Sequence, residues 1–279
     1  MRIAVTGSTG KLGGQVVRLL AASGEHHVLA LSRGTAVHER DVTTAYTDYA
    51  DLASLRTALR SVDVLVFVSS DGDAAKMMVH HQNVVRAAAD NKVAHVVYLS
   101  GVDADLASPF CYAYTNGYTE QLLASSGLGF SIVRASIYAE FFLWFLRRAR
   151  ASGEIRLPAA DGRLALVSRT DVGRCLAALA TALPTGRHHD ITGPTSLDLH
   201  TVAKIASRVW DTPLRYTDIS PADFGAELAS DRQDPWWTYA FSTMFASVRE
   251  QRWDVVSDEV HQLVGRTPLT FADVLSTTT

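Results

Sequence analysis

Short apolar runs recur through the first half of the chain, each followed by a longer stretch in which apolar positions return at helical spacing. The runs are Ile3-Ala4-Val5, His27 to Leu31, Thr43 to Tyr46, Val62 to Val68, Ala94 to Leu99 and Phe130 to Arg134. Apolar character that is continuous, as in Val62 to Val68, is what a central parallel strand covered on both faces requires. The stretches between read as helices: Gln15 to Leu20, Asp51 to Arg60, an Ala-rich segment carrying His80, His81 and Asn83, and Tyr112 to Ser125. Strand and helix alternating over residues 1–135 predict an α/β chain with a doubly wound parallel sheet, whose ligands lie outside the carboxyl ends of the strands. Beyond that the rhythm fails. Segments 154–157, 189–192 and 214–217 read as short strands, with helices near 170–181, 199–210 and 236–251. Residues 136–279 are therefore expected to form a smaller α+β substrate lobe, interleaved with the sheet and closing over its strand ends in one compact unit.

The strand ends carry the chemistry. Directly after Ile3-Ala4-Val5 comes Thr6-Gly7-Ser8-Thr9-Gly10-Lys11-Leu12-Gly13-Gly14. Gly7 lets the chain turn sharply, Gly10 removes a side chain so that N–H groups can approach a pyrophosphate, and Gly13 lets the helix pack close to the strand. Strand, glycine turn and helix in this order make the first βα unit of a Rossmann dinucleotide site, with Gly7, Ser8, Thr9, Gly10, Lys11 and Leu12 around a pyrophosphate at the helix N-terminus. The second strand ends in Ser32-Arg33-Gly34. An NAD site would place Asp or Glu there for the ribose 2′-hydroxyl, whereas a guanidinium pairs with a 2′-phosphate, so Arg33 points to NADPH/NADP. Lys11 can add a second positive charge near the phosphates. Asp48, after the third strand, can accept from the adenine amino group or serve as a turn residue. Ser69-Ser70-Asp71-Gly72 closes the fourth strand, small and polar where the cofactor passes, and Ser100 ends the fifth.

Composition removes other classes. With 279 residues, 47% apolar and 20% charged, the chain can bury an α/β core and a second lobe. A net charge of −3 and an isoelectric point near 6.4 leave no basic stripe, so nucleic acid is not expected as a direct partner. The two cysteines, Cys111 and Cys175, make no framework and show no metal spacing, which predicts a reducing, cytoplasmic setting. The histidine pairs His26-His27, His80-His81 and His188-His189 lack the i,i+4 geometry of a helical metal site, so no metal is assigned. No charged-then-apolar leader precedes the first strand, and the richest apolar stretch, Phe141 to Leu146, is too short to span a bilayer; no membrane is expected. Arg147-Arg148-Ala149-Arg150 fits a helix C-terminus, where cations meet the negative dipole end.

Together these residues resemble the NmrA-like atypical short-chain dehydrogenases, in the branch of type 2 NAD(P)H:quinone oxidoreductase and triphenylmethane reductase. The likeness is carried by Thr6 to Gly13, Arg33, Thr47-Asp48-Tyr49, Asn83 to Ala88, Val97 to Ser100 and Thr119 to Leu123, and later by Ile191 to Pro194, Val256 to Asp258 and Val264 to Pro268. It implies a Rossmann lobe, a small substrate lobe, a preference for NADPH, and a loop after the sixth strand, with Ser136 and Tyr138, beside the nicotinamide. Typical short-chain dehydrogenases pair a Ser with a following Tyr-x-x-x-Lys. Counted from Ser100, the tyrosine falls at Tyr112 and the lysine at Asn116, with Glu120 one helical turn on. Asn116 can hydrogen-bond a ribose but carries no charge to stabilise a tyrosinate. Ser100 and Tyr112 are thus the catalytic candidates, Tyr112 either as a neutral hydrogen-bond donor or as a wall aromatic.

Hydride transfer to an extended conjugated acceptor tolerates this departure, since charge is delocalised over the acceptor and water can supply the proton; the protein needs only a flat apolar slot. Aromatic residues gather at Phe110 to Tyr118, Tyr138 to Phe145 and Trp236 to Phe245, and from them Phe110, Tyr114, Phe141 and Trp237 are expected to line a substrate pocket. The expected function is an NADPH-dependent reductase acting on a planar, quinone-like or polycyclic small molecule, as a monomer or homodimer. Two alternatives stay open: a non-catalytic NADP(H)-binding redox sensor of NmrA type, and a natural-product tailoring enzyme of the same fold.

Overall fold

The computed structural model describes residues 1–34, 41–70, 72–231 and 233–277; Asp71, expected at the fourth strand's end, lies outside the described residues. In chain order the elements are β1 (Arg2–Val5), α1 (Lys11–Ala22), β2 (His27–Ser32), β3 (Val42–Tyr46), α2 (Leu52–Ala58), β4 (Val64–Phe67), α3 (Ala74–Asp90), β5 (His95–Gly101), α4 (Cys111–Ser125), β6 (Gly129–Ala135) and α5 (Ala139–Ser152). There follow β7 (Glu154–Leu157), β8 (Arg163–Leu164), α6 (Arg169–Ala180), β9 (His188–Ile191), β10 (Leu197–Asp198), α7 (Leu199–Trp210), β11 (Arg215–Asp218), α8 (Pro221–Ser230), α9 (Pro235–Arg249), α10 (Glu259–Val264) and α11 (Phe271–Thr277).

Seven strands form one sheet in the order β3-β2-β1-β4-β5-β6-β9. β1 lies parallel to both β2 and β4, with Ile3 opposite Val28 on one side and Val64 on the other. β2–β3 and β4–β5 are parallel as well. The chain therefore winds outward in both directions from β1, and the crevice such a reversal opens lies at the carboxyl ends of β1 and β4. Every residue of β4 and β5 is buried, which accounts for their continuous apolar runs. α1 begins at Lys11 and not at Gln15, because Gly10 takes the extended N-cap conformation and Gly13 and Gly14 are buried helix residues. A Cβ at Gly13 would stand 2.3 Å from the Gly7 carbonyl oxygen, so only glycine lets the helix start this close to the turn.

The chain divides into two compact units, each assembled from three stretches: Met1–Ser100, Thr115–Arg134 and Val172–His189 in the first; Gly101–Tyr114, Ala135–Asp171 and Asp190–Thr279 in the second. They are of comparable length. The first has its core between the sheet and its helices, around Leu29, Leu55, Leu65, Phe67 and Tyr98. In the second, the strands expected at 154–157 and 214–217 pair with each other as β7 and β11, and β8 pairs with β10. Its core joins Phe142, Leu146, Leu199, Phe245 and Leu275, all fully buried. α5 ends at Gly153, whose φ of 75° closes the helix, with Arg150 in the last turn as its run of arginines indicated. No helix among the described residues is long and apolar enough to cross a membrane.

Candidate functional site

In the first unit a cavity of about 670 Å³ opens at the carboxyl ends of β1 to β4. Gly7, Thr9, Gly10, Arg33, Asp48, Ser69 and Ser70, all expected from the sequence, line it. Gly7 has a φ of 60°, the left-handed conformation its turn needs. Gly10 N donates to Gly7 O at 2.9 Å, folding the turn on itself. α1 has no side-chain N-cap and no acidic residue in its first turn, so the N–H groups of that turn stay available to an anion. An exposed Arg33 at the end of β2 adds the guanidinium.

Ser8, Lys11 and Leu12 of the expected loop are not among the residues that line the cavity. Ser8 is buried, its hydroxyl donating to Leu31 O at 2.9 Å, so it ties the turn to β2. Leu12 is buried in the core side of α1, and Lys11 is exposed at its start. Asp48 Oδ1 accepts from Ala50 N at 2.9 Å, an Asx turn that holds the carboxylate at the cavity edge.

The positions counted from the dehydrogenase pattern have other partners. Ser100 donates to Glu120 Oε1 at 2.6 Å, and Glu120 is held by Arg134, whose Nε donates to its two oxygens at 2.9 and 3.2 Å. Asn116 Oδ1 accepts from the hydroxyl of Tyr98 at 2.9 Å. Burial pushes that phenol well above the usual tyrosine range, so it stays a donor to Asn116. Asn116 is not among the residues that line the cavity. Where the pattern would supply a lysine, this chain has an amide oxygen engaged by a buried phenol.

Sequence reasoning missed Thr47, Tyr49 and His80 on the cavity wall and His81 behind it. Tyr49 is pinned at both ends: its hydroxyl donates to Val68 O at 2.7 Å, and its carbonyl accepts from Asn83 Nδ2 at 3.0 Å. His81 is fully buried. Its Nε2 accepts from Ser70 N at 3.3 Å, and its Nδ1 lies 2.8 Å from Thr119 Oγ1, which itself donates to Thr115 O. With Thr119's proton so placed, Nδ1 carries the hydrogen and the ring is neutral. Burial, reinforced by the neighbouring His80, lowers the pKa of His81 from 6.5 to about 3. No cluster fit for a metal exists among the described residues. Helical geometry sends the two rings in different directions, one to the cavity and one to the core.

In the second unit the three aromatic groups form one connected set. Phe110 meets Tyr112 (5.5 Å between ring centroids), Tyr112 meets Trp237 (6.5 Å), Trp237 stacks on Phe241 (5.6 Å), and Phe241 meets Phe141 (5.9 Å). Tyr112 accepts a hydrogen bond from Trp236 Nε1 at 3.2 Å. Tyr114 is 42% exposed. Ser136 Oγ is buried without a partner, while Ser136 N donates to Ile191 O at 2.9 Å. Tyr138 caps α5 and carries the Arg169 guanidinium over its ring at 5.3 Å; burial raises its phenol well above the ordinary range.

Residues 1–248 match the model of the NmrA-like family. Quinone oxidoreductase 2 of Escherichia coli (strain K12) is 30% identical over 234 residues, covering 82% of this chain and 81% of that protein. The NAD(P)H azoreductase of Xenophilus azovorans is 27% identical over 281 residues, covering 97% of this chain and 96% of its own. Among solved structures, the NADPH-dependent quinone oxidoreductase of Escherichia coli complexed with NADPH superposes with a TM-score of 0.92 at 27% identity, covering 99% of each chain.

Proposed function

We propose that this chain, which belongs to the NmrA-like family, is an NADPH-dependent reductase that passes hydride to a planar conjugated acceptor. The observation that carries it is the cavity in which a glycine turn, an uncapped helix start and Arg33 converge. These residues fit the cofactor: the first-turn N–H groups of α1 suit its pyrophosphate, and Arg33 suits its 2′-phosphate. When bound, NADPH supplies the hydride; the protein orients it and excludes water. The relatives at 27 to 30% identity are named reductases, so a non-catalytic sensor is not favoured.

The second unit is the acceptor-binding one in this reading, with Phe110, Phe141 and Trp237 as its apolar wall. Tyr112 is a wall residue whose hydroxyl is oriented by Trp236 and not a proton relay, because no lysine stands where the dehydrogenase pattern would place one. Tyr112→Phe should therefore slow single-turnover hydride transfer by less than about tenfold, against the roughly 10²–10⁴ expected of a general acid. A thousandfold loss would restore the ordinary dehydrogenase mechanism.

Arg33→Ala tests the cofactor choice. Loss of a charge-assisted contact should weaken NADPH by about one to two decades and leave NADH within a few-fold. Calorimetric titration of both nucleotides decides it, and equal losses would remove the 2′-phosphate from Arg33. NADPH oxidation across a panel of quinones and azo dyes tests the activity; absence of turnover with every acceptor would sink the reductase reading.

A further inference from the structure

In the second unit one buried carboxylate gathers two hydrogen-bonded arms that end on the same residue. Asp103, in the loop after β5, is 5% exposed. Its Oδ2 accepts from the hydroxyl of Ser108 at 2.6 Å and from the hydroxyl of Ser247 on α9. Ser108 Oγ, its proton directed at Asp103, accepts from Phe110 N at 3.0 Å, a serine turn across Pro109 that fixes the Phe110 backbone. Ser247 Oγ in the same way accepts from Trp253 Nε1 at 2.8 Å, and the Trp253 ring lies against that of Phe110, 6.0 Å between centroids. One arm thus sets the backbone of Phe110 and the other sets the ring that backs its side chain. Phe110 in turn meets Tyr112, at the start of the connected aromatic set. The second oxygen of Asp103 faces Arg252 Nη1 at 3.5 Å, and Arg252 also pairs with Asp105 and Glu250. Burial pushes the Asp103 carboxyl above the ordinary aspartate range, against the pull of Ser108, Ser247 and Arg252. Burying a carboxylate is costly, and what it supplies here is direction. An acceptor with no proton of its own makes both hydroxyls donate toward it and leaves their lone pairs to the two N–H groups.

We propose that Asp103 is a positioning residue that fixes Phe110 in the acceptor wall, through Ser108 and through Ser247 with Trp253, and so sets how tightly a planar acceptor binds. This rests on the reading of the aromatic set as the acceptor wall. Asp103 touches no reacting atom in this scheme and acts only through Phe110. Its influence is therefore confined to the acceptor and leaves the hydride step and the nucleotide alone.

Steady-state kinetics at saturating NADPH, with 1,4-naphthoquinone and the azo dye methyl red as acceptors, test this. Asp103→Ala should raise the acceptor KM about tenfold and leave kcat and NADPH affinity within about twofold. Asp103→Asn keeps an amide oxygen for the two hydroxyls and gives up the charge facing Arg252, so its KM should stay within about threefold of wild type. Ser247→Ala removes only the tryptophan arm; it should raise KM about threefold to fivefold, and it reads the same effect where Asp103→Ala fails to fold. In a Phe110→Ala background either substitution should add less than about twofold, because residues that act through one another are not additive. Full additivity with Phe110→Ala, or a loss of kcat or NADPH affinity as large as the rise in KM, overturns the assignment. So does a wild-type KM in Ser247→Ala or in Phe110→Ala, or an Asp103→Asn KM as high as that of Asp103→Ala, which would assign the effect to the Arg252 pair. Turnover of neither acceptor by the wild-type protein would instead overturn the reductase reading, and this inference with it.

Discussion

Gly13→Ala should reduce NADPH affinity by at least about a hundredfold, a larger effect than any side-chain truncation in the site. The added Cβ would lie 2.3 Å from Gly7 O, 2.7 Å from Gly7 C and 3.0 Å from Thr6 O. All three are backbone atoms, and no rotamer change relieves them; α1 must move away from the turn or the turn must open. Either movement carries the first-turn N–H groups away from the place proposed for the pyrophosphate. Losing two charge-assisted hydrogen bonds at about 1.5–3 kcal/mol each accounts for the predicted factor. Overpacking should also lower stability by about 1–3 kcal/mol. Gly10→Ala is the internal comparison, because its Cβ would stand 3.2 Å from Gly7 O, a distance that a shift of a few tenths of an ångström relieves. Its loss of affinity should be several-fold only. Calorimetry of both variants with NADPH, alongside thermal unfolding, reads the two effects; affinity within threefold of wild type in Gly13→Ala would refute the account of the turn.

The legibility of this site in the sequence follows from how local each signal is. That the glycine turn and Arg33 line the cavity is readable because a βα unit fixes strand, turn and helix within one short stretch, and the crevice of a parallel sheet lies at its strand ends. Ser8 and Leu12 were read as cofactor residues from their position in that turn, but burial turns both side chains inward. The placement of His80 and His81 is not legible, since it comes from α3 packing against Tyr49 and against Thr119 of α4, contacts distant in sequence. The same holds for Asn116: spacing placed it where a lysine would be, and only the fold shows Tyr98 engaging its oxygen. In the second unit β8 and β10, two residues each, carry no periodicity that could announce them. α8 does carry a local signal, Ser220 Oγ accepting from Asp223 N at 3.1 Å with Pro221 next in the chain. The three aromatic groups were visible as composition, yet their union into one connected set depends on α9 meeting the Phe110–Tyr112 stretch and α5.

Acid should weaken the first unit in a manner traceable to His81. Its pKa is about 3 in the folded chain against 6.5 as the ordinary value, so between these limits the unfolded chain holds a proton that the folded one does not. Stability contributed by the neutral ring is then complete above about pH 6.5 and falls as the pH drops toward 3. At about 1.4 kcal/mol per pH unit, the difference between pH 7.5 and pH 4.5 is on the order of 3 kcal/mol. The structural reason is specific: protonation would turn Nε2 from an acceptor into a donor facing the N–H of Ser70, placing two donors against each other at the cavity wall. His81→Gln retains an acceptor for Ser70 and removes the titration. It should be less stable than wild type at pH 7.5, yet lose roughly 3 kcal/mol less on going to pH 4.5. Urea unfolding of both proteins at the two pH values measures this, and an equal loss in both would show that His81 is not the group responsible. NADPH, binding only the folded chain, should offset part of the wild-type loss by mass action. That protection should shrink as Ser70 is released, which links the titration of a buried core histidine to occupancy of the site.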